Sequence, residues 1–221
     1  MRLAANLAID KQAISDAAGF GLDRPTGSIL PSVLEFALPL EPFPYDPAQA
    51  KHLLAQAGYP NGFDAGDLTP FPPILRVAEA VGSYLGAVGI RTQVRTLERA
   101  AFFSAWREKK LKGLVLADSA ILGNAANRFE IYVLGTGLYA YGSDPDLDAL
   151  FQEQAMTRDR ATREALLHRM QSRMYERVRH APLLERAVLF GVGPRVEEQA
   201  IGLIPLAPFA APYEEMRLKQ P

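Results

Sequence analysis

Apolar positions recur at helical spacing through the first 18 residues, with Leu3, Leu7 and Ile14 on one side and alanines between them. The spacing predicts one helix over residues 3–18, ended by Gly19 and Gly21. The period is then lost. Between residues 22 and 44 stand Pro25, Pro31, Pro39, Pro42 and Pro44, which fix φ and block regular hydrogen bonding. Ile29, Leu30, Val33, Leu34, Phe36 and Leu38 lie among them, so an extended loop packed on the body is expected rather than a free linker. The stretch "YDPAQAKHLLAQAGYPNGFD" (45–64) restores the helical period and marks both of its ends. Asp46 is a good N-cap, Pro47 suits the first helical position and Gln49 completes the capping-box spacing. Ala50, Leu53, Leu54 and Ala57 should face the core. Gly58 supplies the left-handed C-terminal residue, Pro60 stops the helix, and Asn61-Gly62 turns the chain into a strand near Phe63.

The same alternation continues. Residues 73–88 are expected to be helical up to Gly89. "IRTQVRTL" (90–97) alternates apolar and polar residues as a half-buried strand does. Residues 99–110 form a helix with Phe102, Phe103 and Trp106 inward, and "GLVLA" (113–117) is an apolar run suited to a central strand. Helix and strand in turn imply an α/β fold with parallel strands. Beyond Asp118 the pattern loosens. A short helix is expected at 128–134, a glycine- and tyrosine-rich loop at 135–143, helices at 146–156 and 159–180, and a strand at 183–193. An irregular tail carries Pro205, Pro208 and Pro212.

Composition narrows the possible chemistry. With 221 residues the chain can bury a substantial core, and a net charge of −1 argues against gripping nucleic acid or an anionic membrane. There is no cysteine, which removes disulfides, thiolate metal sites and thiol nucleophiles. The opening "MRLAANLAIDKQAI" lacks the unbroken apolar core of a secretory leader. No nucleophile elbow, phosphate loop or HExxH zinc motif occurs, so neither an enzyme nor a cofactor is expected. His52, His168 and His180 lie far apart in sequence. Asp144, Asp146 and Asp148 hint at a calcium loop, but Ala149 and Ala155 stand where the glycine and the twelfth ligand belong. Asp144 and Asp146 are instead expected to cap the helix that follows. Arg169, Arg173 and Arg177 form a stripe that Glu164 and Glu176 interrupt, as on a solvated helix face.

Asp118 stands out because it directly follows an apolar strand, and ligands bind beyond the carboxyl ends of strands in open α/β sheets. A carboxylate there can receive a cation, although a turn or cap aspartate is an alternative reading of the same residue.

The segments together resemble the extracellular solute-binding proteins of ABC transporters, family 5, the class that takes peptides, nickel complexes and opines. The resemblance is carried in order by "RLAANLAIDKQAI" (2–14), the 45–64 stretch, "LGAVGIRTQVRTLE" (85–98), "SDPDLDALFQEQ" (143–154) and "DRATREALLHRMQSRMYERV" (159–178). It implies a lobe of the type II periplasmic binding-protein fold, a mixed sheet flanked by helices. Ligand is then held between two lobes and passed to a membrane permease, with a periplasmic location. Because the first helix normally lies well inside the family's chain, this sequence is expected to be the C-terminal lobe alone. Residues 1–200 would form the lobe, and 201–221 an irregular tail returning to the other lobe. By the same resemblance Asp118, in "LADSA", matches the aspartate that receives a peptide's α-amino group, while Gly123-Asn124 replaces the family's downstream Asp-Pro. Arg128, Tyr139 and Tyr141 are further candidates from their position, with surface or core packing as the alternative for each. The expected partners are a peptide or other small solute and an ABC permease, not nucleic acid. A self-associating module, dimerising through exposed lobe surface, is the alternative function.

Overall fold

The computed structural model describes residues 1–118, 124–204 and 210–219. The first expected helix is two: α1 (Arg2–Leu7) and α2 (Lys11–Ala18). Asp10 separates them by turning its side chain to accept from the Ala13 amide at 2.9 Å, which starts a new helix instead of continuing the old one. Lys11 is buried and donates to the carbonyls of Asn6 and Phe43, both at 3.0 Å, so it ties α1 to the proline-rich loop. Burial pushes its ammonium down to about 8, against an upward pull from Asp10.

That loop is packed, as its apolar residues predict: Leu30 and Leu34 are buried. Its backbone groups find partners elsewhere in the chain. Gln171 accepts from the Leu38 amide at 2.7 Å and donates to the Phe36 carbonyl at 2.8 Å. At its start β1 (Arg24–Pro25) pairs antiparallel with β5 (Leu184–Glu185).

Helix α3 (Pro47–Gln56) begins as the capping residues require, with Asp46 accepting from the Gln49 amide at 2.8 Å. The reciprocal half of the capping box is replaced, because the Asp46 amide donates to the Leu7 carbonyl at 2.8 Å and so docks α3 on α1. Gly58 has φ +89°, and the chain turns at Asn61-Gly62 into β2 (Phe63–Pro70). Helix α4 (Leu75–Ala87) then leads to β3 (Ile90–Val94), and α5 (Arg99–Arg107) to β4 (Leu114–Leu116). The sheet order is β3-β2-β4, and β2 is parallel to both neighbours. The two antiparallel pairs, β1 with β5 and β6 (Val196–Glu198) with β7 (Arg217–Leu218), stand apart from it.

Leu54, Leu68, Leu85 and Ile14 centre the core between the sheet and α1, α2, α3 and α4. A second core lies among α6 (Ala125–Tyr132), α7 (Pro145–Met156) and α8 (Arg160–Glu176), around Phe129, Leu147, Leu167 and Met170. Asp144 does not cap α7 with its side chain. It accepts from Arg177 at 2.7 and 2.6 Å, which holds its carboxyl below the ordinary range, while Asp146 takes the other arm at 2.6 Å. The arginine stripe of α8 thus turns in part onto α7. The expected strand at 183–193 shrinks to Leu184–Glu185. The Ala187 amide goes to the Asp23 carboxylate at 2.8 Å, and Leu189 and Val192 face outward.

Two consequences can be measured. Gly62 (φ +72°) sits against Gly89 (φ +96°) so closely that a Cβ on Gly62 would strike the Gly89 carbonyl, the acceptor of the Phe63 amide. Gly62→Ala should therefore cost about 2–3 kcal/mol in denaturant unfolding. For Lys11 the folded pKa is lowered, so the unfolded chain binds more protons between about pH 8 and 10.5. Stability should then rise with pH across that window by about 2–3 kcal/mol relative to Lys11→Met, which has no such slope. Parallel denaturation of the two proteins from pH 7 to 11 reads the difference.

Candidate functional site at the carboxyl end of the parallel sheet

Strands β2 and β4 end together: the Phe71 amide, just past β2, donates to the Leu116 carbonyl at 2.8 Å. Asp118 leaves β4 at this end, with its side chain 37% exposed. Its carboxylate accepts from Arg186 Nη1 at 3.0 Å. Arg186 directly follows β5, and the pairing of β5 with β1 brings it alongside Asp23. Its Nε lies 4.0 Å from Asp23 Oδ2, while Asp23 Oδ1 takes the Ala187 amide. The Asp23 side chain is only 6% exposed. One guanidinium therefore stands between two carboxylates.

Arg128, in α6, comes near the same acid. It is buried, and its head lies 5.9 Å from the centre of the Tyr132 ring. Among the described residues its Nε and Nη2 have no hydrogen-bond partner. Burial lowers its pKa, and Tyr132 and the Asp118 charge oppose that shift. Burial likewise raises the Tyr132 phenol. Helix α6 starts at Ala125 because the Asn124 carboxamide accepts from the Asn127 amide at 3.1 Å, which places Arg128 in its first turns.

Aromatic rings extend from this point along the sheet. Tyr139 lies 5.6 Å from Tyr132 and 4.3 Å from Trp106, and Phe103 connects Tyr139 to Phe71 at 6.2 and 5.4 Å. Arg99 sits 5.6 Å above the Phe71 ring. Tyr141 is elsewhere. It lies beside the turn between α5 and β4, with Lys109 Nζ 5.4 Å from its ring, and that turn precedes β4 whereas Asp118 follows it. So Arg128 lies within the charge field of Asp118 without a direct contact to it among the described residues, Tyr139 stacks on the Tyr132 that Arg128 faces, and Tyr141 is at the approach to β4.

Arg186, Asp23 and Tyr132 were not singled out from sequence. Arg186 lies in an apolar run that reads as a strand, and a cation within such a run is the signal that marks it. Among the described residues no group of three or more histidine or acidic side chains is arranged to hold a metal.

The chain also has known relatives. The family model for bacterial extracellular solute-binding proteins, family 5 middle region, matches residues 1–156. The chain belongs to that family. It is 27% identical over 209 residues to heme-binding protein A of Haemophilus influenzae, covering 89% of this chain and 38% of that protein. Among solved structures it resembles the ABC transporter-associated periplasmic binding protein DppA of Helicobacter pylori, in complex with the peptide STSA, with a TM-score of 0.74 and 22% identity. The match covers 83% of this chain and 37% of DppA. It also resembles NikA of Staphylococcus aureus, in complex with Ni(L-His)2, with a TM-score of 0.78 and 16% identity over 99% of this chain and 48% of NikA. The fold is that of type II periplasmic binding proteins. The chain spans less than half the length of each of these proteins. Among the described residues no helix is long and apolar enough to cross a membrane.

The candidate acid is set apart from the packed aromatic residues in its expected effect on stability. Asp118→Asn should change stability by less than about 1 kcal/mol, because both it and Arg186 are partly exposed. Tyr139→Ala removes a ring packed on Trp106 and should cost about 2–3 kcal/mol. Urea unfolding of the two variants compares them.

Proposed function

We propose that this chain is one wall of a two-lobed solute-binding protein of an ABC importer, and that it does no chemistry. The solute is a peptide or another small molecule, met at Asp118 and Arg128 on the carboxyl end of the parallel sheet and released to a membrane permease outside the cytoplasm. One observation carries the reading. An accessible carboxylate, ion-paired to Arg186 and within the charge field of the buried Arg128, lies at the end of the sheet where α/β proteins bind ligands, in a chain of family 5.

The outer surface supports the same view. Leu189, Val192 and Leu203 are 62%, 45% and 60% exposed, and Tyr213 is 75% exposed. These exposed large apolar side chains in the last part of the chain suit contact with the remainder of a longer protein. On this proposal residues 1–200 are the ligand-binding lobe; of the expected tail, 205–209 and 220–221 lie outside the described residues, and Arg217–Leu218 pair with Val196–Glu198. The comparisons lend no support to homodimerisation, the alternative use of that surface.

One wall makes only part of the contacts, and association carries a fixed entropic cost. Calorimetry of this chain with alanyl-alanine should therefore show little heat, and adding the remaining lobe should produce a clear binding isotherm that Asp118→Asn weakens. Tight binding by this chain alone, or an isotherm indifferent to Asp118, contradicts the proposal.

A further inference from the structure

Arg186 stands where a ligand cation would have to go. It makes one hydrogen bond to Asp118, at 3.0 Å, with side chains 41% and 37% exposed. Such a pair is weak and exchangeable, since both charges keep much of their hydration. An alternative acceptor is already beside it: Asp23 Oδ2 lies 4.0 Å from Arg186 Nε. The backbone on either side is fixed, by the β1–β5 pairing before Arg186 and by the bond from the Ala187 amide to Asp23 after it. Moving the guanidinium from one carboxylate to the other therefore needs only side-chain rotation.

Arg128 cannot take over this role. Its head group is buried against Tyr132, and its charge acts on Asp118 without a hydrogen bond between them among the described residues. Arg186 is the partly exposed cation of the two.

We propose that Arg186 is a specificity-determining residue, an internal guanidinium that occupies Asp118 while the site is empty and turns to Asp23 when a cationic group on the solute takes its place. This rests on Asp118 being the ligand carboxylate, as proposed above. A solute cation then binds by exchange, against the strength of the internal pair. A neutral or anionic group offers Asp118 nothing and leaves Arg186 where it is. The residue thus sets a threshold: weakly interacting cations are refused, and those with additional contacts to the aromatic wall are admitted.

The test is an NMR titration of this chain at millimolar probe concentrations. One probe is alanyl-alanine amide, which carries an ammonium and no carboxylate. The other is N-acetyl-alanyl-alanine, which carries the reverse. The amide should shift the Arg186 Nε–H and Asp118 backbone resonances together. Arg186→Gln should tighten amide binding about two- to fivefold, the factor expected from removing an exposed ion pair. Arg186→Lys, which keeps the competing charge, should stay near the parent value. Asp118→Asn should abolish the response in either background. If Arg186→Gln weakens amide binding or leaves it unchanged while Asp118→Asn still abolishes it, the exchange proposal falls and the ligand site stands. A response to the acetylated probe that disappears in Arg186→Gln makes Arg186 an anion receptor and overturns the proposal equally. If neither probe moves Asp118, or Asp118→Asn alters neither titration, the site assignment itself fails and takes the proposal with it.

Discussion

Everything at the candidate site depends on β2 being bonded along both edges by parallel partners. Phe63 to Leu68 pair with Ile90 to Val94 on one side, and Leu68 to Pro70 pair with Leu114 to Leu116 on the other. Parallel neighbours require crossovers, so α4 and α5 must each carry the chain back to the starting end. All three strands then finish at the same end. That requirement places Phe71 next to Leu116 and delivers Asp118 into the space beyond them. The close approach of Gly62 and Gly89 serves the same pairing at the opposite end, where β2 and β3 begin.

Much of this was legible in the sequence because the signals are local. Asp46, Pro47 and Gly58 bound α3 by chemistry that acts within a few residues, and the alternating stretch at 90–97 and the apolar run at 113–117 lie where β3 and β4 form. What was missed is nonlocal. Asp10 could equally sit inside a helix, and only its turn onto Ala13 shows that it begins one. Asp144 reads as a cap until Arg177, 33 residues later, claims both of its oxygens. Arg186 and Asp23 are 163 positions apart and meet only because two residues of β1 pair with two of β5. No period or spacing in the chain encodes that meeting. Asp118 was singled out because its signal, an acid after an apolar strand, is local; the signal for its partner Arg186 is not.

The charges at the candidate site offset one another. Asp118 and Asp23 face Arg186, and Arg128 adds a second cation nearby whose hydrogen-bonding capacity is only partly used among the described residues. A site of this kind is neither a bare carboxylate nor a bare guanidinium. It can exchange internal contacts for external ones with little net change in buried charge, which avoids the large cost of desolvating an unpaired ion. The relatives illustrate why the fold alone does not name the solute: heme, a peptide and a nickel–histidine complex are associated with proteins of this similarity.

The central claim is that solute meets this chain at the carboxyl end of the parallel sheet. Hydrogen exchange of the chain together with its other lobe, with and without a bound dipeptide, tests it most directly. Binding should slow exchange at the amides of Phe71, Asp118 and Ala187, and leave Tyr59 to Gly62 and Gly86 to Gly89 unchanged. Protection confined to that opposite end of the sheet, with none around Asp118, would contradict it.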